Sequence, residues 1–316
     1  MIAAIGAFDG FHRGHRTLLD RASLLAAEQN KRWSVLTFSR HPDNVLGGSD
    51  FRFLFPPREQ ELLQEYFDIP SVNRIPFTRA LAGMLPAEFL DFIEKRFGVS
   101  GVVVGRDFRF GKNRGGTPEV LASECARRGW SLDIMPLVEY KGETLSSSRI
   151  RSAVMRGDPQ EAREMLGYPF FCRGIVVHGD KRGRELGFPT VNLEVSDDKV
   201  RPAMGVYAGL VFCDGSWRAG AVNIGRNPTF GGERPPRLEA YLIDYEGDLY
   251  GKTLTVFILA RIRGEKRFGD ADSLRLRMAE DVAVSKEAAA AELAAHREMW
   301  ARFANLGSCS SSSYML

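Results

Sequence analysis

The sequence predicts two successive folds: a doubly wound parallel α/β sheet over residues 1–168, then an antiparallel β-barrel with a C-terminal helix over residues 169–305. Three observations predict it. In the first half, short apolar or β-branched runs alternate with runs of helical period, the order that builds a parallel sheet. In the second half the runs are separated by Gly, Pro and Asp and alternate in character, the pattern of an antiparallel sheet closed into a barrel. Between the two, Gly157-Asp158-Pro159 and Gly167 break helical sequence, which puts the junction near Tyr168.

Taken in order, Ile2 to Phe8 is a short apolar run suited to a buried strand. Asp9 to His15 reads as a loop, and Arg16-Thr17-Leu18-Leu19 opens a helix that continues through Ala22, Leu25 and Ala26. Trp33–Phe38 is a second strand, Arg58–Phe67 a helix, Val72–Phe77 a strand. Pro86–Phe97 is a helix with proline at its first position and Phe89, Leu90 and Ile93 turned inward. Gly101–Gly105 has the β-branched character of a central parallel strand. A helix at Pro118–Arg128 and a strand at Leu132–Leu137 complete the alternation, and Ser152–Gly167 forms one or two short helices. Barrel strands are expected at Phe170–Val177, Gly205–Phe212, Trp217–Ile224, Leu238–Ile243 and Leu254–Ile262. Ser273–Phe303 reads as one long helix with Leu274, Met278, Val282, Leu293 and Trp300 toward the barrel. Residues 306–316, with serines at 310–313, lack core-forming content and are expected to be a disordered tail. Each half is of a size that folds alone.

With 316 residues, 44% hydrophobic and 26% charged, the composition is that of a globular protein able to bury roughly 70–75% of its unfolded surface. The formal net charge of +3 makes no case for a nucleic-acid partner. Cys125, Cys172, Cys213 and Cys309 are far apart with no Cys-x-x-Cys pair, which argues against a zinc ribbon or a disulfide scaffold and fits a reducing cytoplasm. No basic-then-apolar leader precedes Ile2 and no apolar run approaches ~20 residues, so a cytoplasmic protein without a membrane partner is expected.

The loops carry the chemistry. A strand, the Phe8-Asp9-Gly10 turn and a helix start together make an anion site, because the first N–H groups of a helix are unpaired and its dipole is positive there. His12 and His15, with Gly14 allowing close approach, add donors; taken alone they are also ordinary polar residues at a helix start. The loop after the second strand carries Arg40-His41-Pro42. The loop after Val102–Val104 interleaves Asp107, Phe108 and Phe110 with Arg106, Arg109 and Lys112. Ser146-Ser147-Ser148 with Arg149 and Arg151 is a helix cap and equally an anion cradle. In the second half, Gly179, Lys181, Gly183, Arg184 and Gly187 space glycines among cations as a phosphate loop does. Thr190 and Asn192, two apart in an extended segment, share a face and offer neutral oxygens to Mg²⁺.

Gly6 to His15 fits Gly-x-Phe-Asp-Gly-x-His-x-Gly-His, which resembles the nucleotidyltransferase signature of the bacterial bifunctional riboflavin kinase/FAD synthetase family. Shorter His-x-Gly-His strings occur in other adenylyltransferases and in class I aminoacyl-tRNA synthetases. The string Gly105-x-Asp-Phe-x-Phe-Gly111 is similar to a second family motif. Ser146–Arg151 resembles Ser-Ser-Thr-x-x-Arg, with Ser148 in place of threonine. Gly179 to Leu193 resembles the flavokinase signature Gly-x-x-x-Gly-Arg-x-Leu-Gly-Phe-Pro-Thr-Ala-Asn-Leu. The likeness continues through Arg201-Pro202, Gly205–Tyr207, Val222–Phe230 and Glu239–Gly251, covering the chain to about Asp281.

This resemblance implies an α/β nucleotidyltransferase domain followed by a β-barrel flavokinase domain. It implies ATP and Mg²⁺ as co-substrate and cofactor, and riboflavin, FMN and FAD as the other partners. Glu239 then falls on the catalytic carboxylate. His12, His15 and Arg151 steady the charge on ATP in the first domain, and Thr190 and Asn192 hold Mg²⁺ in the second. Phe8, Asp9, Gly10, Gly14, His41, Asp107, Phe108, Ser146, Ser147 and Ser148 belong to the first substrate site. Gly179, Lys181, Gly183, Arg184, Gly187 and Asn223 belong to the second. Val191 for alanine, Tyr241 for histidine, Gly264 for proline and Arg277 for glutamine are departures that bear on kinase rate or flavin affinity. Rival readings are a chain with only one of the two activities and a non-catalytic flavin or nucleotide sensor; a binder has no need of all of Glu239, Thr190, Asn192, His12 and His15.

Overall fold

The computed structural model describes residues 1–39, 45, 47, 51–179, 186–225, 236–266 and 268–307. His41, Lys181, Gly183, Arg184 and residues 308–316 therefore lie outside the described residues. Contacts divide the chain into two compact units, one of Met1–Arg52 with Gln60–Ser147, the other of Phe53–Glu59 with Ser148–Leu316.

The first unit holds a five-stranded parallel sheet ordered β3-β2-β1-β4-β5, made of Ile2–Ile5, Trp33–Phe38, Val72–Ile75, Gly101–Gly105 and Ser131–Met135 as β1 to β5. Every residue of β1 is buried, as are Val102, Val103 and Val104 of β4. Central strands covered on both faces must be apolar on both, so they read as unbroken apolar runs. The helices are α1 (Arg13–Glu28), α2 (Pro57–Tyr66, whose first residues group with the second unit), α3 (Arg79–Gly83), α4 (Pro86–Phe97) and α5 (Pro118–Arg128). Proline opens α4 and α5, and left-handed Gly98 and Gly129 close them. Leu90, Ile93, Leu121 and Cys125 pack on Ala3, Ile5, Val102 and Val104 as one core. The strand order reverses between β1 and β4, the switch point where such sheets bind ligands beyond their carboxyl ends. Two small elements are absent from the sequence expectation: α3, capped by the Thr78 hydroxyl, and a hairpin of β6 (Glu139–Tyr140) and β7 (Glu143–Thr144). The hairpin turns at Lys141 and Gly142, both at positive φ as a tight two-residue turn demands.

The second unit is a closed six-stranded antiparallel barrel ordered β10-β11-β12-β9-β8-β13. Its strands are β8 (Phe171–Val177), β9 (Thr190–Val195), β10 (Gly205–Cys213), β11 (Ser216–Gly225), β12 (Arg237–Leu242) and β13 (Thr253–Arg263). Five match expected strands. The sixth, β9, is not among them, although Thr190 to Val195 alternates polar and apolar residues as a half-buried strand does. Ahead of the barrel come α6 (Ser147–Arg156) and α7 (Pro159–Leu166), two helices split at Gly157-Asp158.

The expected long C-terminal helix is two helices, α8 (Ala271–Ala295) and α9 (Arg297–Gly307), broken at His296, whose ψ of 44° is not helical. The α9 helix includes Leu306 and Gly307, residues that the sequence assigns to the tail. The inward face of α8 is also more polar than its apolar stripe suggests. Asp281, Ser285 and Ala289 are its buried residues, with Leu274, Met278 and Val282 only half-buried. The Asp281 carboxylate accepts two guanidinium bonds from Arg263 of β13, at 2.8 and 3.1 Å, so a charge pair anchors the helix at mid-length. Trp300 of α9 packs among Trp217, Phe257 and Phe303.

Candidate active sites

The first site grows out of the end of β1. Phe8 (φ 45°), Gly10 (φ 94°) and Phe11 (φ 38°) all take left-handed backbone, and both phenylalanines are buried. Bulky residues at positive φ are uncommon and costly, and such strain gathers at functional turns. The turn makes Arg13, not Arg16, the first residue of α1, with His12 as its cap. Its Nδ1 accepts the His15 N–H at 3.2 Å, doing the work that Ser or Asp ordinarily does at a helix cap. The predicted loop is therefore three residues shorter, and Arg13, Gly14 and His15 form the first turn of α1.

The two imidazoles stack with centroids 3.6 Å apart, and Phe8 lies 5.0 Å from His15 on its other side. A Cβ at Gly14 would sit 3.3 Å from the His12 ring, so glycine there keeps the stack unobstructed. Burial pushes the pKa of His15 down to about 3, so it is neutral at pH 7. Its Nδ1 is buried with no hydrogen-bond partner among the described residues. A neutral ring with a free nitrogen beside helix N–H groups is a polar site kept for a ligand.

That depressed pKa fixes a sign. Between the ordinary histidine value near 6.5 and about 3, the unfolded chain binds a proton at His15 that the folded chain does not. Stability from this group is fully present above pH ~6.5 and falls as pH drops toward 3. Melting curves of ligand-free protein should shift downward through that window, and His15→Gln should flatten the slope. An unchanged slope would place the His15 pKa near its ordinary value.

The Asp9 carbonyl accepts the Ser147 hydroxyl at 3.0 Å, which joins the serine run to the histidine turn. Arg151 donates to the Ser148 hydroxyl at 2.8 Å, one turn earlier in α6. Asp107 and Phe108 lie in the loop after β4. Phe108 stacks on Phe110 at 5.4 Å, and the Lys112 N–H to the Met84 carbonyl (2.7 Å) pins the loop against the start of α4. The structure thus brings Phe8, Asp9, Gly10, His12, Gly14, His15 and Ser147 together.

The second site is a row across three barrel strands. Asn192 of β9 lies opposite Glu239 of β12, which lies opposite Asn223 of β11. Directly opposed residues share a face, so the carboxylate stands between two amides. Thr190 opposite Tyr241 makes the next row on the same face. Leu238, Ala240 and Leu242 of β12 are buried toward the core, while Glu239 and Tyr241 are half-buried on the other side. Exposure grows along the row, from buried Asn192 through half-buried Glu239 to exposed Asn223. Phe188 meets Tyr241 edge to face at 5.4 Å, so the ring that replaces histidine has an aromatic partner. Gly187, at φ 86°, needs the freedom of glycine. Arg277 bonds Glu280 at 2.6 Å and reaches Asp281 at 3.4 Å.

Asn192 Oδ1 is buried without a hydrogen-bond partner among the described residues. An orphaned neutral oxygen, with the Thr190 hydroxyl on the same face, fits a magnesium ion that draws its other ligands from phosphate and water. Gly179 holds that amide in place: a Cβ there would lie 2.1 Å from Asn192 Nδ2. Gly179→Ala must push the amide aside, and a misplacement of about 1 Å costs ~10²-fold in rate. We expect that loss in riboflavin phosphorylation with FMN adenylylation unchanged; near-normal phosphorylation would show that Asn192 placement is not critical.

Comparisons with known proteins follow the same division. A family model described as riboflavin kinase matches residues 166–289, and one described as FAD synthetase matches residues 1–149. A bifunctional riboflavin kinase/FMN adenylyltransferase from Bacillus subtilis is 34% identical over 89% of this chain and 90% of its own. The Pseudomonas fluorescens protein of that name is 34% identical over 94% of each chain. The chain belongs to the bifunctional riboflavin kinase/FMN adenylyltransferase family. The histidine turn falls inside the FAD synthetase match of this family member, and the Asn192–Glu239–Asn223 row inside the riboflavin kinase match. A crystal structure described as a macrolide-efflux protein from Streptococcus pneumoniae superposes with a TM-score of 0.83 at 32% identity, covering 90% of this chain and 93% of that one. Among the described residues, no helix is long and apolar enough to cross a membrane.

Three features of this family member are not legible from residue spacing. Phe11 shares the strained backbone of Phe8, which only coordinates reveal. The Gly179–Asn192 contact joins residues across a loop. Glu265 comes close to the second site, since a Cβ on Gly225 would lie 2.6 Å from Glu265 Oε1 and 3.4 Å from Asn223 Nδ2.

Proposed function

We propose that the chain phosphorylates the primary ribityl hydroxyl of riboflavin and then adenylylates the resulting FMN to FAD, using one ATP for each step. The observation that supports this best is that one chain carries two chemically different phosphate-handling sets, the histidine turn inside the FAD synthetase match and the Asn192–Glu239–Asn223 row inside the riboflavin kinase match. The second set contains a carboxylate, Glu239, as needed where a neutral hydroxyl must lose its proton. The first set contains imidazoles and helix N–H groups and needs no base, because the FMN phosphate attacks already ionised.

In the kinase step Glu239 accepts the hydroxyl proton as the new O–P bond forms at the γ-phosphorus and ADP leaves. Asn223 and Asn192 flank Glu239 and orient it. Thr190 and Asn192 are the residues that would hold Mg²⁺, which when bound supplies charge stabilisation on the transferring phosphoryl group. Gly179, Lys181, Gly183, Arg184 and Gly187 cradle the ATP phosphates. In the adenylylation step the FMN phosphate attacks the α-phosphorus and pyrophosphate leaves. His12 and His15 donate to the oxygens that gain charge, and Arg151 with Ser146, Ser147 and Ser148 holds the polyphosphate. Phe8, Asp9, Gly10 and Gly14 shape that turn, while His41, Asp107 and Phe108 contact nucleotide or flavin.

The residues for adenylylation fall within 1–168 and those for phosphorylation within 169–305, with the enzyme working in the cytoplasm. The test is chromatography of products after mixing protein, riboflavin, ATP and Mg²⁺. Both FMN and FAD are expected. FMN alone, or FAD only from added FMN, would reduce the chain to one activity, and no product would make it a binder.

A further inference from the structure

Glu59 lies in the first half of the sequence, inside the FAD synthetase match, yet its carboxylate bonds Arg173 and Lys199 of the second unit. Contact grouping places Phe53–Glu59 there. One carboxylate oxygen of Glu59 accepts the Lys199 ammonium at 2.6 Å and the other accepts the backbone N–H of Arg173 at 2.7 Å. Both Lys199 and Glu59 are buried. Lys199 also donates to the Leu54 carbonyl and lies 4.3 Å from the ring centroids of Phe55 and Phe170. Phe53 adds backbone bonds on either side of Lys199: its N–H to the Asp198 carbonyl at 2.7 Å and its carbonyl to the Val200 N–H at 2.8 Å.

The place of these bonds in the barrel gives them meaning. Arg173 is the β8 residue just beyond the last β8–β9 pair, Gly174 with Val195, and Lys199 lies just past the end of β9. The Glu59 carboxylate therefore joins the two strands where their own ladder stops. At the other end of that ladder, Val177 pairs with Asn192. The connection there spans residues 178–189, far longer than the about two-to-five-residue turns that fix hairpin register. The ladders of β9 with β8 and with β12 are each short, ending at Gly174–Val195 and Leu238–Leu193. A slip of one residue would turn Thr190 and Asn192 to the wrong face.

We propose that Glu59 and Lys199 are positioning residues for the kinase reaction, setting the β8–β9 register that aims Thr190 and Asn192 at the face of Glu239. A residue of the adenylyltransferase half of the sequence thus serves the other activity. The inference rests on the reading of Thr190 and Asn192 as magnesium ligands.

The test uses the full chain with Glu59→Gln, with Glu59→Gln plus Lys199→Met, and with Asn192→Ala as a control. Phosphorylation of riboflavin and adenylylation of FMN are measured separately across a Mg²⁺ series. Glu59→Gln should lower kinase kcat by about tenfold or more and raise the Mg²⁺ concentration it needs, with adenylylation within about twofold of normal. The double variant should stay impaired, because it removes both ends of the link; recovery would show that an unpaired buried ammonium, not register, caused the loss and would overturn the proposal. If Glu59→Gln fails to fold, Glu59→Asp, which keeps the charge and shortens the arm, should show the same split. Kinase loss below about twofold, equal loss of both activities, or an unchanged Mg²⁺ requirement would overturn the proposal. Asn192→Ala with normal phosphorylation would instead remove the ligand reading, whatever Glu59 does.

Discussion

Glu239→Gln abolishes FMN formation from riboflavin while FAD formation from supplied FMN continues at its normal rate; this is the largest single effect the site predicts. The substitution keeps the size of the side chain between Asn192 and Asn223 and removes its negative charge and with it the ability to take a proton. A positioned base contributes typically ~10²–10⁴-fold, and Glu239 is the carboxylate of the Asn192–Glu239–Asn223 row. Glu265, which borders Gly225 and Asn223, is an alternative. The measurement is initial FMN formation by each variant. A loss below about tenfold in Glu239→Gln with a large loss in Glu265→Gln would move the base from one carboxylate to the other.

Replacing both His12 and His15 with alanine should stop FAD formation and spare FMN formation. Each pre-placed donor to a developing phosphate charge is worth ~10²–10³-fold, so the pair together reaches the detection limit of most assays. One complication has a structural remedy. His12 also caps α1 through Nδ1, and loss of a cap costs about 1 kcal/mol of stability. His12→Asn retains a capping oxygen and removes the imidazole. It should melt close to the wild type and still lose FAD formation, whereas recovery of activity by Asn would make His12 a cap and nothing more.

Much of the fold is legible in the sequence because burial on both sides of a parallel strand leaves an apolar run, as in Gly101–Gly105, and because Pro86, Pro118, Gly98 and Gly129 punctuate their helices. The site strand β9 carries a legible signal, because Thr190, Asn192 and Glu194 alternate with Val191, Leu193 and Val195, but the run follows directly on a glycine- and cation-rich stretch that reads as a phosphate loop. The early start of α1 was hidden because capping rules favour Ser, Thr, Asp and Asn, not His12. The polar inner face around Asp281 was hidden because a pairing with Arg263, on a distant strand, replaces apolar contact. Separability is the expectation that changes most. A fragment beginning at Pro169 lacks Phe53–Glu59 and Ser148–Tyr168, all grouped with the barrel, and would leave Lys199 without its carboxylate. No local pattern announces a bond between residues 59 and 199.

The account rests on one chain attacking two different phosphorus atoms of ATP at two different sites. The most direct measurement supplies riboflavin and Mg²⁺ with ATP labelled either at the γ or at the α position, then separates the flavins. The γ label should appear in FMN and persist in FAD, while the α label should appear in FAD alone. The α label in FMN, or FAD free of either label, would contradict it.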